Sequence, residues 1–362
     1  MRPHPRGALA QARKDPTDGM PGNGVYPAMA SARDFRTLRG VRGREAAMIF
    51  FGRVLKLGFI NIPIALLAAL VLLAAPPHAE RSRLLMGTLL IIEAPGADRA
   101  SVDRAFETVA EIESWMSNYK PESELSLLNA RAGLGPVPVS QALWDALIAA
   151  RRAWKDSAGA FDPTFSSPGE ARGFGKVAFF PRKRSVALPE GARLDLGGIG
   201  KGWALDRAAE RLRRDGVEAA RLDFGGQILV FSPPSGRIIR LVEIVDPACR
   251  RMPVSTGRSF QCASAASLRL QGGSVATSSN AERPGHIVDP LSGNSMADSR
   301  RSLTVAAPTA TEADAWSTAL FIAGPEKLPA HRGICALETG RDVVRWHGDC
   351  DEYRHPGEPK KL

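Results

Sequence analysis

Residues 193–212 read RLDLGGIGKGWALDRAAERL, and the fold turns on how the four glycines in that stretch are read. Gly197, Gly198, Gly200 and Gly202, with Lys201 among them, separate an apolar run from a helical pattern. Leu205, Ala208, Ala209 and Leu212 recur at steps of three and four, which predicts a helix over Trp203–Arg214 closed by Gly216. Leu194–Leu196 reads as a short strand before the glycines. ARLDFGGQILVF (220–231) reads as one strand after the helix, with a Gly-Gly of its own. Strand, glycine turn, helix and strand together make a βαβ-like unit. Glycines let a ligand approach the backbone closely. The N–H groups that open a helix favour an anion, and Lys201 adds a charge. The stretch is not a P-loop, because only three residues separate Gly197 from Lys201 and no Ser or Thr follows the lysine. Nor is it the dinucleotide fingerprint, since Gly198-x-Gly200 runs into Lys-Gly-Trp. Phosphate binding and a tight structural turn are both open on these residues alone.

Outward from this centre, helices and strands mix without strict alternation, which points to the α+β class. MGTLLIIE (86–93) reads as a buried strand. Asp98 caps a helix to Met116, with Val102, Phe106, Val109, Ile112 and Met116 on its inner face. Ser140 caps another that carries Leu143, Leu147, Ala150 and Trp154. Residues 165–185 are rich in Gly, Pro and basic side chains and show little period. Further strands are expected around 238–245, 267–271, 286–288 and 302–306. A helix is expected over Thr311–Ala323, and a closing hairpin over 334–348 turning near Thr339-Gly340.

The net charge of +10 is concentrated at the start of the chain: residues 1–47 carry +5 and residues 48–79 a further +2, leaving +3 for 80–362. No basic stripe with interleaved aromatics appears in that last part, which argues against nucleic acid as a partner. Three segments are expected. Residues 1–47 form a disordered basic extension, lying upstream of the true start if translation begins at Met48. Residues 48–79 hold two basic residues, an uncharged run over 57–75 and a small-residue exit, the layout of a secretory signal. That run is either cut near Ala79 or kept as an inner-membrane anchor. Both place the 80–362 body outside the cytoplasm, in the periplasm. Cys249, Cys262, Cys335 and Cys350 all lie in that body, and their spacing favours the pairs Cys249–Cys262 and Cys335–Cys350. No CxxC is present, so zinc is not expected.

Two further constellations bear on chemistry. In TEADAWSTALF (311–321), Asp314, Ser317 and Thr318 fall at i, i+3 and i+4, on one face of a helix whose other residues are apolar. A carboxylate and two hydroxyls facing inward need partners. Either a hard cation such as Mg²⁺ or a neighbouring loop would supply them. In GHIVDPLSG (285–293), His286 and Asp289 follow the polar stretch TSSNAERPG, which reads as a flexible loop.

These blocks, taken together and in order, resemble the ApbE-type FAD:protein FMN transferases from about Leu84 to Trp346. The matching stretches are MGT (86–88), MSNYKPESELSLLN (116–129), SAGAFDPT (157–164), LDLGGIGKGWALD (194–206), DFGGQI (223–228), ATSSNAERPGHIVDPLSG (276–293) and VAAPTATEADAWSTALFIAGPEK (305–327). The resemblance implies a single mixed α/β domain, related to the T-fold, with a flavin cleft. It implies FAD as substrate, Mg²⁺ as cofactor, and transfer of FMN to a Thr or Ser hydroxyl of an exported or membrane-bound target flavoprotein, releasing AMP. By the same resemblance Met86, Tyr119, Ala160, Phe161, Asp162, Asp195, Lys201 and Ile287 are FAD-site positions. Asp314 and Thr318, with Ser317 beside them and a carbonyl of the Gly198–Gly200 turn, are metal positions. His286 is the catalytic one. The chain departs from the family pattern in its short, basic 163–194 interval, in Thr277-Ser278-Ser279 where Thr-Ser-Gly is common, and in Gly200 where Ala is usual. An FAD pyrophosphatase that uses water as acceptor shares every site residue. A non-catalytic flavin-binding accessory protein is the third reading.

Overall fold

The computed structural model describes residues 78–233, 240–247, 264–281, 284–296, 301–329, 333–340 and 343–354. The expected extension 1–47 and almost all of the export segment lie outside them, as do Cys249 and Cys262. Everything described belongs to one unit, Asn61–Leu362.

The chain enters through β1 (His78–Leu85) and turns directly into β2 (Thr88–Pro95). The expected strand over 86–93 is therefore corrected: Met86 and Gly87 are the two turn residues, at φ 46° and 76°, between the paired Leu85 and Thr88. Positive φ at both positions is what a two-residue hairpin of right-handed twist requires. α1 (Arg99–Met116) follows with Asp98 as its cap, its carboxylate accepting from the Ser101 N–H as expected. Next come α2 (Glu124–Ala130), the two-residue β3 (Val137–Pro138) and α3 (Gln141–Asp156) capped by Ser140. The 165–185 interval holds short 3₁₀ turns, β4 (Ala178–Phe180) and the start of β5 (Ser185–Ala187), which joins β3 and β4 in a small sheet.

Leu194–Leu196 is not a strand. The Leu194 N–H and carbonyl are both bonded to the side-chain amide of Asn129 (2.8 and 2.9 Å), and the Asp195 N–H donates to the Pro163 carbonyl (2.7 Å). With its polar groups engaged by a side chain and a loop, the segment needs no ladder. α4 (Gly200–Arg214) starts three residues earlier than the sequence pattern implied, so Gly200, Lys201 and Gly202 form its first turn. The expected single strand over 220–231 is instead a hairpin of β6 (Ala220–Phe224) and β7 (Gln227–Phe231), with Gly225 and Gly226 at φ 61° and 88° in its turn. The βαβ reading falls with these corrections.

β8 (Arg240–Val245) and β9 (Ser264–Leu270) form a separate ribbon. β10 (Gly273–Ser279) takes in the front of what read as a loop, and β11 (Ser302–Ala307) pairs with it. Residues 286–288 do not form a strand: Val288 makes an isolated bridge to Ser295 within a loop. α5 (Ala310–Ala323) is the expected buried helix, capped by Thr309. β12 (Cys335–Gly340) and β13 (Val343–Gly348) pair as expected, but Thr339 and Gly340 belong to the β12 strand, paired with Val344 and Val343, and not to its turn. Cys335 and Cys350 are disulfide-bonded, as their spacing suggested.

Among the described residues the large sheet has eight strands in the order β1-β2-β6-β7-β10-β11-β12-β13, every neighbouring pair antiparallel. Its two faces carry two cores. Ala276, Val305 and Ala336 point to the helices, and Val275, Ala306 and Leu337 point to the ribbon, the period-two alternation of a sheet covered on both sides. α5 packs on β10 and β11, and α4 packs on α5 and α1. That places the first turn of α4 against the first turns of α5, on the helix side of the sheet.

Candidate active site

The meeting of α4 and α5 is built on glycine. A Cβ on Gly202 would lie 2.2 Å from the Ala310 carbonyl oxygen and 2.9 Å from Asp314 Cβ, so only a glycine lets the two helices approach this closely. Asp206, one turn on, accepts from the Ala310 and Thr311 N–H groups (2.9 Å each) and from the Thr311 hydroxyl (2.5 Å), and so caps α5 from α4. Locked in this way, Asp314 presents its carboxylate to the N-terminus of α4. Oδ2 accepts from the Gly202 N–H at 3.0 Å and Oδ1 lies 3.4 Å from Lys201 Nζ. The anion that faces this N–H is thus the protein's own carboxylate, steadied by the helix dipole and by one cation.

Two hydroxyls lie beside it. Ser317 Oγ donates to the Asp314 carbonyl at 2.9 Å and Thr318 Oγ1 does so at 3.4 Å. Ser278, on the helix-facing side of β10, reaches both: its Oγ is 2.9 Å from Ser317 Oγ and 3.4 Å from Thr318 Oγ1. Sequence reasoning passed over Ser278 as a site residue. The signal was the alternation Ser274, Ala276, Ser278, which marks one face of a strand. Gly198 closes the group, since a Cβ there would lie 3.3 Å from Thr318 Oγ1 and 3.2 Å from the Phe161 ring. Asp314 and Ser317 are buried, while Lys201, Thr318 and Ser278 are half-buried. The structure thus gathers Phe161, Gly198, Lys201, Asp314, Ser317 and Thr318 into one place.

The other candidates are not drawn into this group. Met86 sits in the β1–β2 turn, its N–H donating to Glu113 Oε2 at 3.0 Å. Its Cε is 3.4 Å from where a Gly200 Cβ would be, and Met116 Sδ is 3.0 Å from the same point. Ala160 is buried. Asp162 is buried and turned into its own loop: Oδ1 accepts from the Thr164 N–H (2.7 Å) and hydroxyl (2.5 Å), and Oδ2 from the Phe174 N–H (2.9 Å). Its task in this structure is to shape the 162–174 segment. Asp195 Oδ1 accepts from the Gly197 N–H at 2.7 Å and so braces the glycine turn. Tyr119 is 91% exposed. The structure does not bring it into the group: its N–H donates to Ser117 Oγ at 3.1 Å, and its neighbour Asn118 is bonded to Asn129, the residue that pins Leu194. Ile287 is buried in the helix-side core, and His286 beside it is exposed.

The donor set fits a hard divalent cation. Asp314 supplies a carboxylate and Ser317 and Thr318 supply hydroxyls, beside the Gly198 backbone, with no thiolate or imidazole among them. Among the described residues no cluster of three His, Cys, Asp or Glu side chains stands ready to hold a metal. A single carboxylate supplemented by neutral oxygens and by ligand phosphates is how Mg²⁺ is commonly held.

This architecture is that of solved ApbE proteins. The ApbE protein of Thermotoga maritima superposes with a TM-score of 0.59 at 25% identity, covering 68% of this chain and 87% of its own. The flavin transferase ApbE of Vibrio cholerae shares the fold with a TM-score of 0.63 at 21% identity, covering 76% and 98%. The ApbE family model matches residues 86–333, and the chain belongs to the ApbE family. Curated relatives named FAD:protein FMN transferase include those of Salmonella typhimurium, 26% identical over 67% of this chain and 77% of the relative, and of Treponema pallidum, 28% identical over 68% and 79%.

Proposed function

We infer that this protein transfers FMN from FAD to a Thr or Ser hydroxyl of a target flavoprotein as a phosphoester, releasing AMP, in a magnesium-dependent reaction. One observation carries the reading: Lys201, Asp314, Ser317 and Thr318 converge at the glycine-opened N-terminus of α4, in a family whose curated relatives bear that activity in their names. The acceptor oxygen bonds to the FMN-side phosphorus, the bond to the AMP oxygen breaks, and the acceptor proton leaves to a base.

Asp314, Ser317, Thr318 and the Gly198–Gly200 carbonyls would hold the metal, which when bound supplies positive charge to the pyrophosphate oxygens. Lys201 adds a fixed charge to the same side. The glycines keep Cβ atoms away from the phosphates. His286, exposed on its loop, takes the acceptor proton where a protein substrate can reach it. Met86, half-buried in the β1–β2 turn, offers apolar surface to the flavin, with Phe161 and Ile287 packed in the core behind the site. The body works outside the cytoplasm, in the periplasm, joined to or released from the inner membrane through 57–75. The Cys335–Cys350 bond supports an oxidising compartment.

The test incubates the 80–362 body with FAD, Mg²⁺ and an exported flavoprotein domain that carries a Thr acceptor, reading AMP by chromatography and covalent flavin by in-gel fluorescence. AMP with a fluorescent target band, both lost in Asp314→Ala and His286→Ala, is the expected result. AMP without a band across several targets identifies the pyrophosphatase. FAD binding without AMP leaves a flavin-binding accessory protein.

A further inference from the structure

The loop that carries His286 is tied together by its own hydrogen bonds. The Asp289 N–H donates to the Asn294 carbonyl (2.9 Å), the Gly293 N–H to the Asp289 carbonyl (2.8 Å) and the Met296 N–H to the Ile287 carbonyl (2.8 Å). The Asp289 carboxylate accepts from the Leu291 N–H (2.9 Å) and the Ser292 hydroxyl (2.7 Å). Ser295 Oγ donates to the Gly285 carbonyl at 2.9 Å. These bonds act within the loop, so the position of His286 depends on how the whole unit is attached, and the attachment in turn opposes the local opening that breaks them. Buried Ile287 fastens its inner side.

Arg172 fastens the outer side. Its guanidinium donates from Nη1 to the Pro290 carbonyl at 3.4 Å and from Nε to the Ser167 carbonyl at 3.2 Å, joining segments 118 residues apart. Gly293 leaves the space this requires, because a Cβ there would lie 2.5 Å from Nη1. The backbone around Arg172 is itself held. Thr164 Oγ1 accepts from the Gly173 N–H (2.7 Å) and Asp162 from the Phe174 N–H (2.9 Å). Ser167 exchanges two hydrogen bonds with the backbone of Arg193, at the head of the glycine stretch (2.8 and 3.1 Å).

We propose that Arg172 is a positioning residue, which clamps the His286 loop to the 162–174 segment and so sets the histidine against the glycine-turn site. A flat guanidinium with several fixed donors bridges two carbonyls, whereas a lysine ammonium concentrates its charge at one point. The short, basic 163–194 interval thereby has a use: it delivers this arginine to the base-bearing loop. The proposal rests on the catalytic reading of His286, and its test separates the two.

Arg172→Ala, Arg172→Lys, His286→Ala and the Arg172→Ala/His286→Ala double variant are assayed for AMP release and flavin transfer, with FAD affinity measured separately by fluorescence. A displacement of about 1 Å costs on the order of 10²-fold in rate. Arg172→Ala is therefore expected to lower kcat by about tenfold or more while FAD affinity changes by less than about threefold, with Arg172→Lys in between. In the His286→Ala background the same change should cost less than about twofold, because two residues that act through one step are not additive. Hydrogen exchange gives a readout independent of turnover: protection of the Leu291 and Gly293 amides should fall by about tenfold in Arg172→Ala. Wild-type protection in Arg172→Ala, or a loss of rate as large with His286 absent as with it present, overturns the clamp. Full transfer by His286→Ala overturns the role of the histidine, and the exchange result then still decides the clamp.

Discussion

Replacing Gly202 by alanine sets two physical arguments against each other. By helix propensity the change in the first turn of α4 stabilises, since alanine is favoured over glycine by up to about 1 kcal/mol in a helix. The tertiary structure reverses the sign. The new methyl would lie 2.2 Å from the Ala310 oxygen, 2.6 Å from the Ala310 carbonyl carbon and 2.9 Å from Asp314 Cβ. Two of these are backbone atoms, so no side-chain rotation relieves them. α5 must move off α4 by about 1 Å to restore ordinary contact. That shift stretches the Gly202–Asp314 hydrogen bond and the three Asp206 bonds at the head of α5. Overpacking of this kind costs about 1–3 kcal/mol, which outweighs the propensity gain in most of that range. At about 2–4 °C per kcal/mol for a domain of this size, the melting temperature of Gly202→Ala should fall by several degrees. AMP release should fall further than stability does, because Asp314 is displaced. Thermal unfolding by circular dichroism, paired with AMP release at saturating FAD, checks both. A variant that melts at or above the wild-type temperature and keeps its rate would refute the close helix crossing as the origin of the site.

Asp206→Ala leaves the Thr309 cap in place but takes away the acceptor for the Ala310 and Thr311 N–H groups and the Thr311 hydroxyl, and should lower stability by about 2 kcal/mol in urea unfolding. Cys335→Ala/Cys350→Ala opens a link of sequence separation 15, which is worth about 3 kcal/mol. Since these cysteines lie on the ribbon face of the sheet, transfer activity below the new melting point should be retained, and reductant should mimic the variant. The Asp215 carboxyl is held below its ordinary value chiefly by the hydrogen bond from Arg104, against the opposing effect of burial and with help from Arg211. A depressed folded value stabilises above the unfolded pKa of about 3.9 and is lost as pH falls through the folded value. Asp215→Asn should therefore be less stable than wild type at neutral pH, with the gap closing below about pH 4 in a series of urea melts.

Much of this molecule was legible in one dimension. Asp98, Ser140 and the apolar steps behind them announce helices, because a cap and a 3.6-residue period are local properties of the chain. The pattern of Asp314, Ser317 and Thr318 on a buried helix marks polar groups in need of partners, and the glycines with Lys201 mark a backbone kept bare for a close neighbour. Ordered together, the motif blocks name the family. What neighbour each group meets is decided in three dimensions. Leu194–Leu196 has the composition of a strand and is none, since Asn129 occupies its hydrogen bonds from 65 residues away. Gly202 reads as part of a phosphate loop, yet the group pressed against it is the Ala310 carbonyl, and the anion at its N–H is Asp314. Asp162 reads as a ligand contact, yet both of its oxygens hold its own loop. Arg172 carries no motif that sets it apart, and Ser278 lies in a motif block that does not say what its hydroxyl meets; they matter through strand pairing and through one side chain crossing to a distant carbonyl. A sequence states which groups need a partner. Only the packing of α4 on α5, and of the loops around them, states which partner each one finds, because that choice depends on distances between segments that the chain order does not contain.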